Sequence, residues 1–310
     1  MTRQNTSMDK TAWASLLALS VLWGGSFFFM DVVVREVPPL SVAAARLFFA
    51  AVVLQIVLFA GGMRLPLRGG MWRAFLAMGL VNNAIPFSLL AWGQTHIAGG
   101  LAAIFNSTMV MFSVVVAHFF TENEKITPAR LFGVAAGFCG IVVMIGADIL
   151  DGLGDELLAQ LAVLGATFCY ACATVYGLRF RRRGVPPLSA AAGQITAAAL
   201  ILLPVALIID RPWSFVAAVS PPAAASLLSL GVVSTGLAYL LYFRILASSG
   251  ATNVALVTFL VPITPVILGA AFLDEILRRE HFYGMALIGI GLAAIDGRIL
   301  RFLSKRRRAN

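Results

Sequence analysis

The sequence predicts an all-α integral membrane protein, with ten transmembrane helices in two inverted five-helix repeats. Three observations carry that expectation. First, 60% of the 310 residues are hydrophobic and only 12% are charged, with a mean hydropathy of +0.92. Soluble domains sit nearer ~45–50% apolar and ~25% charged, so a chain this apolar belongs in a bilayer. Second, runs of about 20 apolar residues, enough to cross ~30 Å of hydrocarbon, occur ten times. Third, the chain repeats itself. Pro38-Pro39-Leu40-Ser41 recurs as Pro186-Pro187-Leu188-Ser189, 148 residues later. Gly79 aligns with Gly231, and Gly133, Gly140 and Gly146 align with Gly284, Gly291 and Gly297 at a constant offset of 151. Internal symmetry in a hydrophobic chain marks transporters built from repeats.

The ten runs are Ala12–Val34, Ser41–Ala60, Trp72–Trp92, Gly99–Phe119, Ala129–Ile149, Leu157–Phe180, Ser189–Ile209, Ala223–Ala247, Thr252–Phe272 and Phe282–Leu300. A membrane β-barrel would alternate with period two in segments of ~10 residues, and no run does. The first run is too long for a signal-peptide core and lacks a cleavage site, so it reads as an uncleaved span. The expected organisation is a cytoplasmic tail over 1–11, a first repeat over 12–150, a second over 151–300 and a basic tail over 301–310.

Charge sets the orientation. With the amino terminus in the cytoplasm, eighteen Lys and Arg fall on the inside. The outside holds four, namely Arg35, Arg211, Arg278 and Arg279, and Arg46 lies within a span. The acidic cluster Asp148, Asp151, Asp155 and Glu156 falls outside. This bias obeys the positive-inside rule and predicts both termini in the cytoplasm of a bacterial inner membrane. Five spans per half is an odd number, so the second half enters upside down. Inverted halves place a cavity near the midplane. The net charge of +9 sits in short clusters between apolar runs, which excludes a nucleic-acid surface. Lys305-Arg306-Arg307-Arg308 reads as an orientation signal or a contact with anionic lipid.

Polar residues inside the spans are the candidate site, because hydrocarbon penalises unpartnered polar groups. Asn82 and Asn83 sit mid-span, shortly before Pro86, which removes a backbone donor. Asn106 is their counterpart in the fourth span, beside Ser107 and Thr108. Tyr170 and Thr174 share one face of the sixth span with Thr167, as Tyr239 does in the eighth with Thr235 and Tyr242. A tyrosine offers an apolar ring and a polar tip for a small amphipathic solute. Trp23 lies too deep for an interfacial belt. Arg46 either pairs with a substrate carboxylate or snorkels to the nearer interface. Its repeat partner Gln194 lacks the charge. Against each reading stands plain helix–helix packing.

Other features read as structural. Cys139, Cys169 and Cys172 lie in apolar runs, so no disulfide framework is implied. Cys169-x-x-Cys172 has no second pair and no fitting histidine, so no metal site is expected. Gly133-x-x-x-Gly137 is a small-residue packing face, which makes the fifth and tenth spans braces. No Walker loop, Ser–His–Asp set or H-E-x-x-H is present, so no cofactor and no enzyme activity is expected. No carboxylate sits in the middle of a span. Asp31 lies near the outer end of the first, and Asp296 near the inner end of the tenth. Transport of a neutral solute is therefore expected to run without an imposed ion gradient.

Several of these residues together resemble a known family. They are Trp23-Gly24-Gly25-Ser26-Phe27, Pro38 to Arg46 with Leu47-Phe48-Phe49-Ala50, Gly99 to Ile104, Val261-Pro262 and Asp274-Glu275. In this order, over about residues 12–300, they are similar to the drug/metabolite transporter superfamily, EamA type. The resemblance implies ten helices in inverted repeats and movement of small metabolites, often amino acids outward. Two departures stand out. Val110 replaces a proline usual in the family's fourth span, and Glu122-Asn123-Glu124 replaces a Gly-Glu pair. The expected function is export of a small metabolite, an amino acid foremost, by alternating access. The partners are that solute and the lipid bilayer. A carrier for a nucleotide-sugar or phosphorylated compound would need more basic residues facing the cavity. A membrane enzyme or receptor lacks a catalytic set or soluble domain to support it. Composition does not address the oligomeric state.

Overall fold

A chain in hydrocarbon must satisfy its backbone internally, and helices do so. The computed structural model describes residues 10–66, 70–121, 126–145, 155–249, 254, 256–276 and 278–296, and every regular element among them is helical. Gly146, Gly297, the Asp148–Asp151 part of the acidic cluster, Glu122-Asn123-Glu124, residues 1–9 and the basic tail over 301–310 lie outside the described residues.

Among the described residues, ten helical segments stand at the ten expected spans, and seven of them are long and apolar enough to cross a membrane. The first five are Lys10–Val33, Pro39–Ala60, Met71–Gly93, Gly99–Phe120 and Pro128–Ile145. The sixth and seventh are Asp155–Arg182 and Pro187–Ile209. The eighth joins Pro221–Leu228, Ser229–Leu237 and Ala238–Ser249. The ninth is Val257–Leu260 followed by Ile263–Phe272, and the tenth is Arg279–Asp296. The recurring Pro-Pro-Leu-Ser is a helix start in both halves. Pro38 and Pro186 are extended at ψ 144° and 139°, and Pro39 and Pro187 open the second and seventh spans. A proline costs nothing at that position, where its missing N–H has no partner to lose.

The second and seventh spans pack along one another. Ala43, Ala191, Ala192 and Ala198 between them are buried, and Gln55 Nε2 donates to Thr196 Oγ1 at 2.8 Å. Small side chains let the two backbones approach in a setting where lipid gives no hydrophobic drive. Large apolar side chains such as Phe59, Phe119 and Ile208 face outward, as a lipid-facing surface requires.

The fifth and tenth spans cross through glycines. A Cβ on Gly133 would strike the carbonyl oxygen of Gly291, and one on Gly291 would strike that of Gly133. A Cβ on Gly140 would lie 2.7 Å from the carbonyl oxygen of Gly284. The two contacts exchange under the 151-residue offset, Gly133–Gly291 becoming Gly284–Gly140. The same holds elsewhere. Gly79 rests on the backbone of Gln194, and its repeat counterpart Gly231 rests on the backbone of Arg46.

Four spans are irregular, at matching places in the two halves. The third turns π-helical at Leu80–Ala84, where Ile85 N–H bonds Leu80 O five residues back. The eighth does so at Ser229–Leu237. Pro86 alone accounts for only part of the first distortion, since the π turn begins before it. The fourth span breaks at Thr108, whose hydroxyl donates to Phe105 O at 2.6 Å, as Ser107 donates to Ile104 O. The ninth breaks at Val261-Pro262. Val110 therefore does not keep the fourth span continuous: hydroxyls that bond their own helix carbonyls deform it where proline does so in the ninth. Gly24 of the first span sits against the ninth-span break, where a Cβ would lie 2.5 Å from Val261 O.

Candidate functional site

The π segments carry Asn82 and Asn83 in the third span and Ser234 and Thr235 in the eighth, and Tyr239 follows just after the second. π-bulges free backbone groups and re-aim side chains, which is why they gather at functional sites. In the eighth span Thr235 Oγ1 donates to Leu230 O at 2.8 Å, spanning the wide turn. The same hydroxyl accepts from Arg46 Nε at 2.9 Å. Arg46 is 7% exposed, and its guanidinium lies 3.9 Å from the centroid of the Phe87 ring. Tyr170 and Tyr239 lie within its electrostatic reach.

The third span supplies the facing wall. Asn82 Nδ2 donates to Gln194 Oε1 at 3.4 Å. The Tyr239 hydroxyl lies beside the Asn82 and Asn83 amides. Asn83 is 0% exposed, yet neither of its amide atoms closes a hydrogen bond of ordinary geometry. Tyr170 packs against both large apolar clusters of the protein, so it sits on the seam between them. Arg46 and Gln194 hold matching places, and each meets the polar pair of the other half's π segment, Arg46 at Thr235 and Gln194 at Asn82, the residue that matches Ser234.

The structure therefore brings Arg46, Asn82, Asn83, Tyr170 and Tyr239 together. Trp23 joins at one remove, its ring 5.6 Å from that of Tyr242 in the eighth span. Asn106 lies apart: its amide oxygen is buried without a partner, and none of its bonds reaches the Arg46 cluster. Thr174 is exposed and donates to Tyr170 O at 2.9 Å within its own helix, away from the cluster. A three- and four-residue spacing covers a wide arc, and Thr174 falls on its lipid-facing edge. Two members are not evident from sequence alone. Phe87 reads as an ordinary apolar residue, and Gln194 acquires meaning only through its contact with Asn82.

No acidic side chain pairs with Arg46 among the described residues. A buried guanidinium with one neutral acceptor and one aromatic face keeps most of its five donors available. The unused amide of Asn83 and the two tyrosine hydroxyls add uncharged donors and acceptors. The arrangement can hold one carboxylate and the polar rim of a small organic molecule. It offers no nucleophile–base pair, and the described residues contain no group of three metal-ligating side chains.

A ten-span helical protein with broken helices around a polar centre belongs to the class of membrane transporters. The profile of the EamA-like transporter family matches residues 11–146 and again 157–295, and the chain belongs to that family. It is 26% identical over 282 residues to the uncharacterized transporter YoaV of Bacillus subtilis (strain 168), covering 89% of this chain and 94% of that protein. It is 26% identical over 284 residues to a protein of Escherichia coli (strain K12) named probable amino-acid metabolite efflux pump, covering 89% and 91%. A solved crystal structure at 19% identity superposes with a TM-score of 0.64 over 93% of this chain and 98% of that one. That likeness speaks to the fold.

Proposed function

We propose that the protein is a secondary carrier that exports small zwitterionic metabolites, amino acids foremost, from a bacterial cytoplasm across the inner membrane. The solute carboxylate binds the Arg46 guanidinium, while Tyr170, Tyr239 and Asn83 meet its polar remainder and Trp23 its apolar part. The observation that carries this reading is a buried cation with no acidic partner. An ionised group in hydrocarbon is costly unless paired, and Phe87 and Thr235 offset only part of that cost. A solute carboxylate completes the pairing. A nucleotide-sugar or phosphorylated solute would need several cations, and one is present in the cluster.

Alternating access follows from symmetry. Contacts that exchange under the repeat offset, at Gly133–Gly291 with Gly140–Gly284 and at Gly79–Gln194 with Gly231–Arg46, are what a two-fold axis in the membrane plane would produce. They support two inverted halves, about residues 12–150 and 151–300, that rock around the midplane site. The outward direction rests on the name of the Escherichia coli relative. The test is solute flux in proteoliposomes of the purified protein, with a panel of labelled amino acids. Saturable counterflow of at least one amino acid that disappears in Arg46→Gln is expected. Counterflow unchanged in that variant would remove the carboxylate from this site.

A further inference from the structure

A second polar centre lies at the end of the first span, which the charge bias places outside. Asp31 is 6% exposed. Its Oδ1 accepts from Gln94 Nε2 and its Oδ2 from the backbone N–H of Gly99, both at 2.7 Å. The next backbone N–H, of Gly100, points to Glu275 Oε2 at 3.4 Å. Glu275 follows the ninth span, and its carboxyl meets that of Asp31 at hydrogen-bonding range. Consecutive N–H groups at the start of Gly99–Ser107 thus each hold one carboxyl, one from either half of the chain. Glycines make the room: a Cβ on Gly99 would strike Asp31, and one on Gly269 would strike Glu275.

A cavity of about 300 Å3 adjoins the pair. Gln94 lines it and is more than nine-tenths buried. Its Nε2 is used by Phe27 O at 2.8 Å and by Asp31, while its Oε1 has no partner. The centre is therefore rich in acceptors and short of donors. Arg35 and His96 line the same cavity but are exposed, Glu36 is turned to Ser220, and Asp274 beside Glu275 is exposed. Among the described residues, no nearby cation is buried with the pair. Two carboxyl groups in contact cannot both ionise without strong repulsion, and one bound proton turns that repulsion into a hydrogen bond.

We propose that Asp31 and Glu275 form a proton-binding site that ties the first span to the end of the ninth and releases the tie when the proton leaves. With the proton bound, one carboxyl donates to the other, and the two halves are held together at this end. Loss of the proton leaves two like charges that separate, which opens the end. This reading deepens the carrier reading, since it gives that carrier a pH-dependent step. It also revises the expectation of transport indifferent to ion gradients.

The test uses the full-length protein in lipid nanodiscs. Infrared spectra recorded while the pH is raised from neutral should show loss of a protonated-carboxyl C=O band. Asp31→Asn and Glu275→Gln should each lack that titrating band, whereas Glu280→Gln at a solvent-facing carboxylate should keep it. Either variant alone suffices, so one that fails to fold leaves the other. In proteoliposomes the pH profile of flux should flatten in both. A titrating band that is absent from the unmodified protein, or that survives in both variants, overturns the proposal. Flux absent from every protein would count against the carrier reading and leave the band to decide the proton site.

Discussion

At the scale of the residue, Arg46 is the side chain whose surroundings the sequence least predicts. A cation five or six residues from the outer end of a span reads as snorkelling, as helix bracing or as a ligand. The structure gives it Thr235 and the Phe87 ring as neighbours and no acid. Charged hydrogen bonds contribute ~1.5–3 kcal/mol, so Arg46→Gln, which copies the repeat partner Gln194, should weaken solute affinity roughly ten- to a hundredfold. Protein yield should stay normal, because the substitution also removes a buried charge. Tyr239→Phe keeps the ring and deletes a hydroxyl beside Asn82 and Asn83. One neutral hydrogen bond contributes ~0.5–1.5 kcal/mol, so affinity should fall by up to about tenfold, as measured by competition for a labelled solute. Asn82, Asn83, Tyr170 and Tyr239 were legible as site candidates because hydrocarbon makes any mid-span polar group informative. Thr174 looks the same in sequence, but a hydroxyl can satisfy itself on its own helix carbonyl. Only the rotation of the sixth span, set by packing, separates it from Tyr170.

At the scale of the element, span existence was legible and span irregularity was not. Twenty apolar residues specify a helix in a bilayer whatever their order, and the recurring Pro-Pro-Leu-Ser fixes where two of them begin. The π segments have no comparable signal. Asn82-Asn83 and Ser234-Thr235 share polarity but no motif, and the wide turn is closed by the Ile85 backbone N–H in one span and by the Thr235 hydroxyl in the other. The glycine crossing was legible from spacing. Gly133→Ala should overpack it against Gly291, at a cost of ~1–3 kcal/mol. A thermal-shift assay should show lower stability while solute affinity is unchanged; lost affinity at full stability would place the fifth span on the path. The halves are also tied at the ends of other spans. Asp210 Oδ2 accepts from Ser41 N at 2.7 Å and from Ser41 Oγ at 2.8 Å. Glu36 accepts from Ser220 N at 2.7 Å and from Ser220 Oγ at 2.6 Å. The Ser220 bonds hold the Glu36 carboxyl below its ordinary value of 4.5. A depressed value means that the tie is fully present above that pH and is lost as pH falls through the lower, folded-state value. Between neutral and mildly acid pH the Glu36 tie should be constant, so Ser220→Ala should leave the pH profile of flux unaltered. That behaviour contrasts with the Asp31–Glu275 pair.

At the scale of the whole molecule, two copies of one five-span unit enclose a centre to which both contribute the same positions with different chemistry. Arg46 and Gln194 occupy matching places, as do Thr235 and Asn83, so the repeat is symmetric in backbone and asymmetric in charge. In the proposed carrier, symmetry of backbone would let the halves exchange roles during rocking, and asymmetry of charge would give the solute one orientation. The count of basic residues predicts the topology: reporter fusions at both termini should report a cytoplasmic location, and a periplasmic signal from either would undo the inverted arrangement. Binding of a solute carboxylate by the Arg46 guanidinium, between the two halves, is the step on which the proposed function turns. Its most direct measurement is equilibrium binding of an amino acid and of its carboxamide analogue to the purified protein and to Arg46→Gln. The unmodified protein should prefer the carboxylate by about tenfold or more, and Arg46→Gln should bind both equally. Equal binding by the unmodified protein, or a preference that survives in Arg46→Gln, would contradict it.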